Sequence, residues 1–335
     1  MNEFVTINHG SGGRQAQELI KKVFADRFMM EEPLTDSAFI SAHNSGTAFT
    51  TDSYVIDPIF FPGGNIGKLA VCGTVNDLAV SGADPAFISA SFIIEEGFPV
   101  DELEIIAASM ADEALNAGVR IITGDTKVVG KGKCDRLFIT TSGIGYLKEG
   151  RIFLGRGELV KPSDKLIING PLGNHSVAVL GARTHAPFST SVVSDCSCLN
   201  HMIKRVLDNT KSVRFMRDIT RGGLAAVANE LCHITGLGVS VIEEAVPVDE
   251  PVRGICEVFG FDPLNMANEG KILMVVGPEE SQEVLRIMHS DPAGKEAAMI
   301  GEVLEENQKV VVMNTRAGGR RIIDLPSGAQ LPRIC

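Results

Sequence analysis

Short runs rich in β-branched and aromatic residues alternate with helix-length stretches along both halves of the chain. This alternation restricts the fold more than any other feature, because it calls for helices layered on sheets. In the first half, Thr47 to Ile56 reads as a strand, Pro62-Gly63-Gly64 as a turn and Ile66 to Ser81 as a helix. Asp101 to Ala117 reads as a second helix, with Leu103, Ile106, Ala107, Met110 and Ala114 at amphipathic spacing. Strands are predicted at Val119 to Thr123, running into a Gly124-Asp125-Thr126-Lys127 loop, and at Leu137 to Ile144. The second half repeats the pattern, with strands near Leu166 to Asn169, Val239 to Ile242, Ile272 to Val276 and Val310 to Met313. The expectation is an α/β protein of two domains. Lys148 to Asp164, with glycines and a proline among mixed charges, is the candidate boundary, giving an N-terminal domain over 1–155 and a C-terminal domain over 156–319. Residues 320–335, with Pro326, Gly328 and Pro332, suit an extended tail.

Charge and composition exclude several functions. A formal net charge of −11 opposes binding to nucleic acid or anionic lipid, and the absence of tryptophan argues against an aromatic platform for single strands. No apolar run approaches the ~20 residues of a membrane helix, and Met1 to Gly10 lacks the basic and apolar regions of a signal peptide. The seven cysteines form an odd set without the spacing of a disulfide-stapled domain. A reducing cytoplasm is the expected location.

Several residues carry potential chemistry. Gly10-Ser11-Gly12-Gly13, after His9 and before a helical stretch from Gln15, can turn N–H groups toward a phosphate, and equally fits a plain N-terminal turn. Asp77 falls on the same helix face as Ile66, Ala70 and Gly73, where a carboxylate calls for a partner or a metal. With Asp52 near a strand end and Asp125 in a loop, it supplies hard oxygen ligands suited to Mg²⁺ and nucleotide phosphates, while Lys127 offers a cation to phosphate. Singly, each also fits a cap, a turn or a solvated lysine. Arg217, Asp218 and Arg221 beside Gly222-Gly223 form a candidate anion site at a helix start. Glu269, before an apolar strand, projects into a site at that strand's edge or merely occupies a turn. Cys196-x-Cys198 with His201 lacks the second pair of a closed zinc site, and His175 reads as a cap-region histidine. Cys335 ends the chain after Leu331-Pro332-Arg333-Ile334, a terminal thiol on a Pro-containing segment that is suited to being carried between sites.

Taken together, His9–Gly13, Thr51–Pro58, Phe61–Pro85, Gly124–Lys127, Arg217–Glu230, Asn265–Lys271 and the ending Pro332-Arg333-Ile334-Cys335 closely resemble the [NiFe]-hydrogenase maturation members of the AIR-synthase-related (PurM-like) family. The family's usual Gly-Asp-His-Gly reads Gly173-Asn174-His175-Ser176 here. The resemblance implies a two-domain PurM-like fold whose N-terminal sheet pairs across a homodimer, a C-terminal α/β domain, and ATP with Mg²⁺ bound between them.

It further implies a carbamoyl dehydratase. A HypF-type carbamoyltransferase loads Cys335, ATP drives dehydration of the S-carbamoyl group to a thiocyanate, and cyanide passes to a HypC–HypD-type complex. On this reading Asp52, Asp77 and Asp125 hold the metal, Lys127 meets the phosphates and Glu269 is the general base. Selenophosphate synthetase and thiamine-phosphate kinase share the superfamily and give the competing reading of a small-molecule phosphotransferase, which needs no terminal thiol. A non-catalytic scaffold docking through its tail is the other.

Overall fold

The computed structural model describes residues 13–19, 38–42, 45–186, 188–305, 309–325, 328, 331, 333 and 334. Gly10, Ser11, Gly12 and Cys335 lie outside the described residues.

The N-terminal part runs α1 (Arg14–Leu19), β1 (Ala38–Ala42), β2 (Ser45–Tyr54), the small pair β3 (Phe60–Phe61) and β4 (Gly64–Asn65), and α2 (Ile66–Val80). It continues with β5 (Ala83–Glu95), α3 (Val100–Ala117), β6 (Arg120–Val129) and β7 (Leu137–Leu147). A five-stranded mixed sheet has the order β1-β2-β7-β5-β6, with β5 and β6 parallel and the other neighbours antiparallel. Asn65 caps α2, its side chain accepting the N–H groups of Gly67 at 2.9 Å and Lys68 at 3.1 Å. Lys68, Gly73 and Asp77 are half-buried and the rest of α2 is buried. The helix is therefore enclosed on nearly all sides and has no single apolar stripe.

The C-terminal part comprises β8 (Lys165–Ile168), α4 (Asn174–Gly181), α5 (Asn200–Asn209), β9 (Val213–Asp218), α6 (Gly223–Thr235), β10 (Gly238–Ile242) and α7 (Glu250–Phe259). It ends with β11 (Ile272–Val276), α8 (Ser281–His289), β12 (Ala298–Leu304), β13 (Val311–Asn314) and β14 (Arg320–Ile323). Its seven-stranded sheet has the order β14-β13-β10-β12-β8-β11-β9. β11, paired with β8 on one side and edge strand β9 on the other, is a fully buried Ile-Leu-Met-Val-Val run, as a strand covered on both faces requires.

Ala79 and Val80 at the end of α2 pack in one cluster with Leu154, Leu199, Met202, Ile203 and Met274, so the helix joins the two cores. Across the same junction Arg151 and Lys148 pair with Asp208 of α5, at 2.5 and 2.8 Å. No described helix is long and apolar enough to cross a membrane.

The structure departs from the sequence reading in three respects. Asp125 and Lys127 lie within β6, not in a loop, because the parallel pairing with β5 continues to Val129. Asp52 lies near the end of its strand, as expected, since β2 ends at Tyr54. The strands β1, β3, β4, β5, β9 and β12 have no counterpart among the expected strands. The stretch expected to be an extended tail begins with a strand, β14, paired to β13, and Ile334 near its end is buried.

Candidate active site

Thr50, Asp52 and Tyr54 alternate along β2, so their side chains share the face toward α2. Thr50 donates its hydroxyl hydrogen to Asp77 Oδ2 at 2.8 Å, and Thr74 donates to Asp52 Oδ2 at 3.4 Å. Both carboxylates are half-buried at this junction of strand and helix. On the same face Tyr54 lies against Gly73, where an added Cβ would fall 2.2 Å from the phenol oxygen. Any other residue at 73 would push the ring away. The Tyr54 hydroxyl is buried without a well-formed hydrogen bond. Burial, then the charge of Asp52, with Asp77 and Glu269 adding and nearby Thr74 opposing, raises its pKa well above 10.0. Tyr54 is thus a neutral, unsatisfied donor amid carboxylates, and the hard oxygens around it fit a divalent cation and its polar ligands.

The second side of the site comes from the segment entering β11. Asp195 accepts the backbone N–H groups of Glu269 and Gly270, both at 3.2 Å, and pairs with Lys271 Nζ at 3.4 Å. Gly270 permits this, since a Cβ there would lie 2.0 Å from the Asp195 carbonyl oxygen. Asn268, fully buried, donates to the carbonyls of Ile219 and Met266 and accepts the Gly173 N–H at 2.8 Å. Glu269 is consequently fixed by bonds on both flanks while its own side chain is only 5% exposed. Burial raises its pKa well above the usual carboxylate range, with Asp195, Asp218 and Asp52 adding and Arg221 opposing. That Asp52 acts on Glu269, and Glu269 on Tyr54, places acids of both domains within electrostatic reach across the junction.

Ile334, near the end of the chain, reaches the same junction. It is 3% exposed and packs in one cluster with Phe61, Val179, Cys196 and Ala267, of which Ala267 lies two residues before Glu269. Its carbonyl lies 3.0 Å from His175 Nε2, and His175 Nδ1 lies 2.8 Å from Ser194 Oγ. Burial lowers the His175 pKa, so the ring is neutral. Because a carbonyl can only accept, Nε2 carries the proton and Nδ1 accepts from Ser194, whose oxygen in turn accepts the Cys196 N–H at 3.1 Å. Arg333, with φ of 54°, is tied by its carbonyl to the Asp57 N–H at 3.2 Å and to Arg183, and by its guanidinium to the Val55 carbonyl and Asp135.

The sequence-predicted residues divide accordingly. Asp52, Asp77 and Glu269 converge. Asp125 and Lys127 do not join them within one chain, since Asp52 aligns with Thr141, Thr141 with Ala90 and Ala90 with Gly124. Those three strand spacings amount to about 14 Å. Instead, Lys127 pairs with Asp125 at 2.8 Å on the exposed edge strand and lowers its pKa.

Arg217 is buried with its guanidinium over the Phe215 ring, whereas Arg221 is exposed and acts on Glu269. Asp218 is buried on the Glu269 side. Gly13 immediately precedes α1, its carbonyl accepting the Gln17 N–H. Sequence reasoning missed Tyr54, Asp195 and the role of His175. For His175 the available signal was the Gly173-Asn174-His175-Ser176 segment that opens α4, in which Ser176 also donates to the Ala267 carbonyl at 2.8 Å.

Two layered α/β domains joined by a buried helix, with carboxylates and Ile334 gathered at their junction, define a two-domain enzyme of the AIR synthase type. AIR synthase related protein, N-terminal domain, matches residues 34–147, and AIR synthase related protein, C-terminal domain, matches 161–314. Carbamoyl dehydratase HypE of Rhodobacter capsulatus is 46% identical over 100% of this chain and 99% of that protein. A HypE chain solved in a HypE–HypF complex is 46% identical, with TM-score 0.85, over 92% of this chain and 99% of that one. HypE solved in complex with ATP is 40% identical, with TM-score 0.83, over 98% and 100%. The chain belongs to the carbamoyl dehydratase HypE family of AIR synthase related proteins.

Proposed function

We propose that this chain dehydrates an S-carbamoyl group on its own Cys335 to a thiocyanate at the expense of ATP, supplying the cyanide ligand for the iron of [NiFe]-hydrogenase. The observation that carries this reading is the docking of Ile334 on His175, in one cluster with Ala267 next to the Glu269 loop. A phosphotransferase acting on a free small molecule has no use for a terminus held there.

The carbamoyl oxygen, made nucleophilic by the nitrogen and sulfur lone pairs, attacks the γ-phosphate of ATP and ADP leaves. The carbon–oxygen bond then breaks with loss of phosphate, while two N–H protons are removed and the C≡N bond forms. The net change on the cysteine is loss of one water. Glu269 is the base for these protons: its raised pKa makes it a stronger acceptor once ionised, and Asp195 and Asn268 fix its position. Asp52 and Asp77 are suited to hold Mg²⁺, which when bound offsets the charge of the ATP phosphates. Tyr54 adds a neutral donor beside them.

Asp125 and Lys127 enter this site from a second copy of the chain. The sheet face away from α2 carries exposed Phe49, Ile93 and Tyr146, and β6 ends the sheet with exposed Ile121, Ile122 and Val128. An open sheet face and edge of this kind are covered by another sheet. The expected partners are a HypF-type carbamoyltransferase as donor and a HypC–HypD-type complex as cyanide acceptor, in the cytoplasm.

Incubating the chain with HypF-type enzyme, carbamoyl phosphate and ATP tests the proposal. The C-terminal peptide should gain a carbamoyl group and then lose water. A peptide that never changes mass, with ATP consumed on a free substrate instead, would move the protein to the phosphotransferase reading.

A further inference from the structure

The sequence offers Cys196-x-Cys198 with His201 as an incomplete metal motif, and the fold completes it from elsewhere. His201 takes no part, since its Nε2 lies 2.8 Å from the Asn116 carbonyl. Instead, Cys72 of α2 brings its sulfur to 3.8 Å from Cys198 Sγ, and Glu113 of α3 adds a carboxylate oxygen. The three ligand atoms lie within 4.8 Å of one another. A tetrahedral ion with Zn–S bonds of about 2.3 Å holds its sulfurs about 3.8 Å apart, the separation seen here. The site is also rigid. Asn76, one helical turn after Cys72, donates to the Ser197 carbonyl at 3.0 Å and accepts the Leu199 N–H at 2.8 Å, clamping Cys198 from both sides.

We propose that Cys72, Cys198 and Glu113 form a binding site for a thiophilic divalent cation, Zn²⁺ being the best fit. Both thiols bind as thiolates and release their protons to solvent, and water completes the shell on the half-exposed side of Cys198 and Glu113. Cys72 is fully buried, and a cation compensates a buried thiolate directly.

The consequence reaches the acid cluster. The segment Asp195 to Leu199 carries Cys198 at one end and, at the other, the Asp195 carboxylate that holds the Glu269 and Gly270 N–H groups. An ion at Cys72 and Cys198 therefore staples α2, which bears Asp77, to the segment supporting Glu269.

Titration of the metal-stripped full-length protein with Co²⁺ tests this, followed by displacement with Zn²⁺. One thiolate-to-cobalt charge-transfer band per chain is expected, unchanged in Cys335→Ala, together with a rise in melting temperature on adding Zn²⁺. Cys198→Ser should abolish the band and the thermal shift. Glu113→Gln should weaken Zn²⁺ by more than the roughly tenfold that loss of an outer partner costs. These two positions are half-exposed, and circular dichroism of the stripped variants checks their folding without relying on a Cys72 variant. A band of wild-type strength in Cys198→Ser, a band lost only with Cys335→Ala, or no band at all overturns the proposal. So does a protein isolated without metal in which the Cys72 and Cys198 peptides are disulfide-linked.

Discussion

His175 Nε2 donates to the carbonyl of Ile334 at 3.0 Å, so the residue preceding the terminal cysteine is held by a ring that is itself fully buried. The neutral tautomer that makes this bond is fixed by Ser194, and Ser194 by the Cys196 N–H. Removing the ring leaves the Ile334 carbonyl and the Ser194 hydroxyl without it, at a cost of about 1–3 kcal/mol per buried unsatisfied group. His175→Ala should therefore release the terminus. Carbamoylation by the partner enzyme should persist while dehydration slows by tenfold or more on the same ~1.4 kcal/mol-per-decade scale. Equal dehydration rates in single-turnover mass measurements would show that the docked terminus is not the reacting form.

Glu269→Gln separates binding from proton removal. ATP affinity should stay near that of the wild type, and formation of thiocyanate should stop, because the amide keeps the shape and loses the base. In the wild type the dehydration rate should rise with pH through a transition above the ordinary carboxylate value of about 4.3, since burial keeps Glu269 protonated. A flat profile across that range would assign the base elsewhere.

The same carboxyl makes a stability prediction. A folded-state pKa raised above the unfolded one means that Glu269 favours the fold below its unfolded value and weakens it as pH rises through the folded value. Glu269→Gln should accordingly melt higher than the wild type at neutral and alkaline pH, with the difference vanishing in acid. Thermal unfolding across that series checks the sign.

Asp77→Asn should weaken Mg²⁺-dependent ATP binding and turnover, because an amide oxygen replaces an anionic ligand. The fold should tolerate it, as the amide oxygen still accepts the Thr50 hydroxyl bond of 2.8 Å. Isothermal titration with and without Mg²⁺ is the measurement. Affinity equal to wild type in both would remove Asp77 from the nucleotide site.

Cys335→Ala should abolish carbamoylation and nitrile formation and leave ATP binding and the oligomeric state unaltered. Cys72, Cys196 and Cys232 are buried in the cores and cannot replace a chain terminus. Intact mass after incubation with the carbamoyltransferase decides the matter, and an added carbamoyl group in the variant would refute the assignment.

The sequence by itself determined the layered α/β architecture, the apolar run of β11, the helix bearing Asp77, and the terminal cysteine, because periodicity and local residue chemistry carry those features. That this helix is enclosed on nearly all sides came from the tertiary packing. It also marked Asp52, Asp77 and Glu269. Only the tertiary structure decided which marked residues meet. Asp125 and Lys127 share a short motif that reads as part of the same site, yet strand order sets them three strands from Asp52, and strand order depends on pairings between distant segments. Tyr54 needed Gly73 beside it, Asp195 needed Gly270, and Cys198 needed Cys72 from a helix more than a hundred residues earlier. By local pattern His175 reads as a helix cap, whereas the fold brings the Ile334 carbonyl onto it, a contact spanning 159 positions that no local pattern encodes.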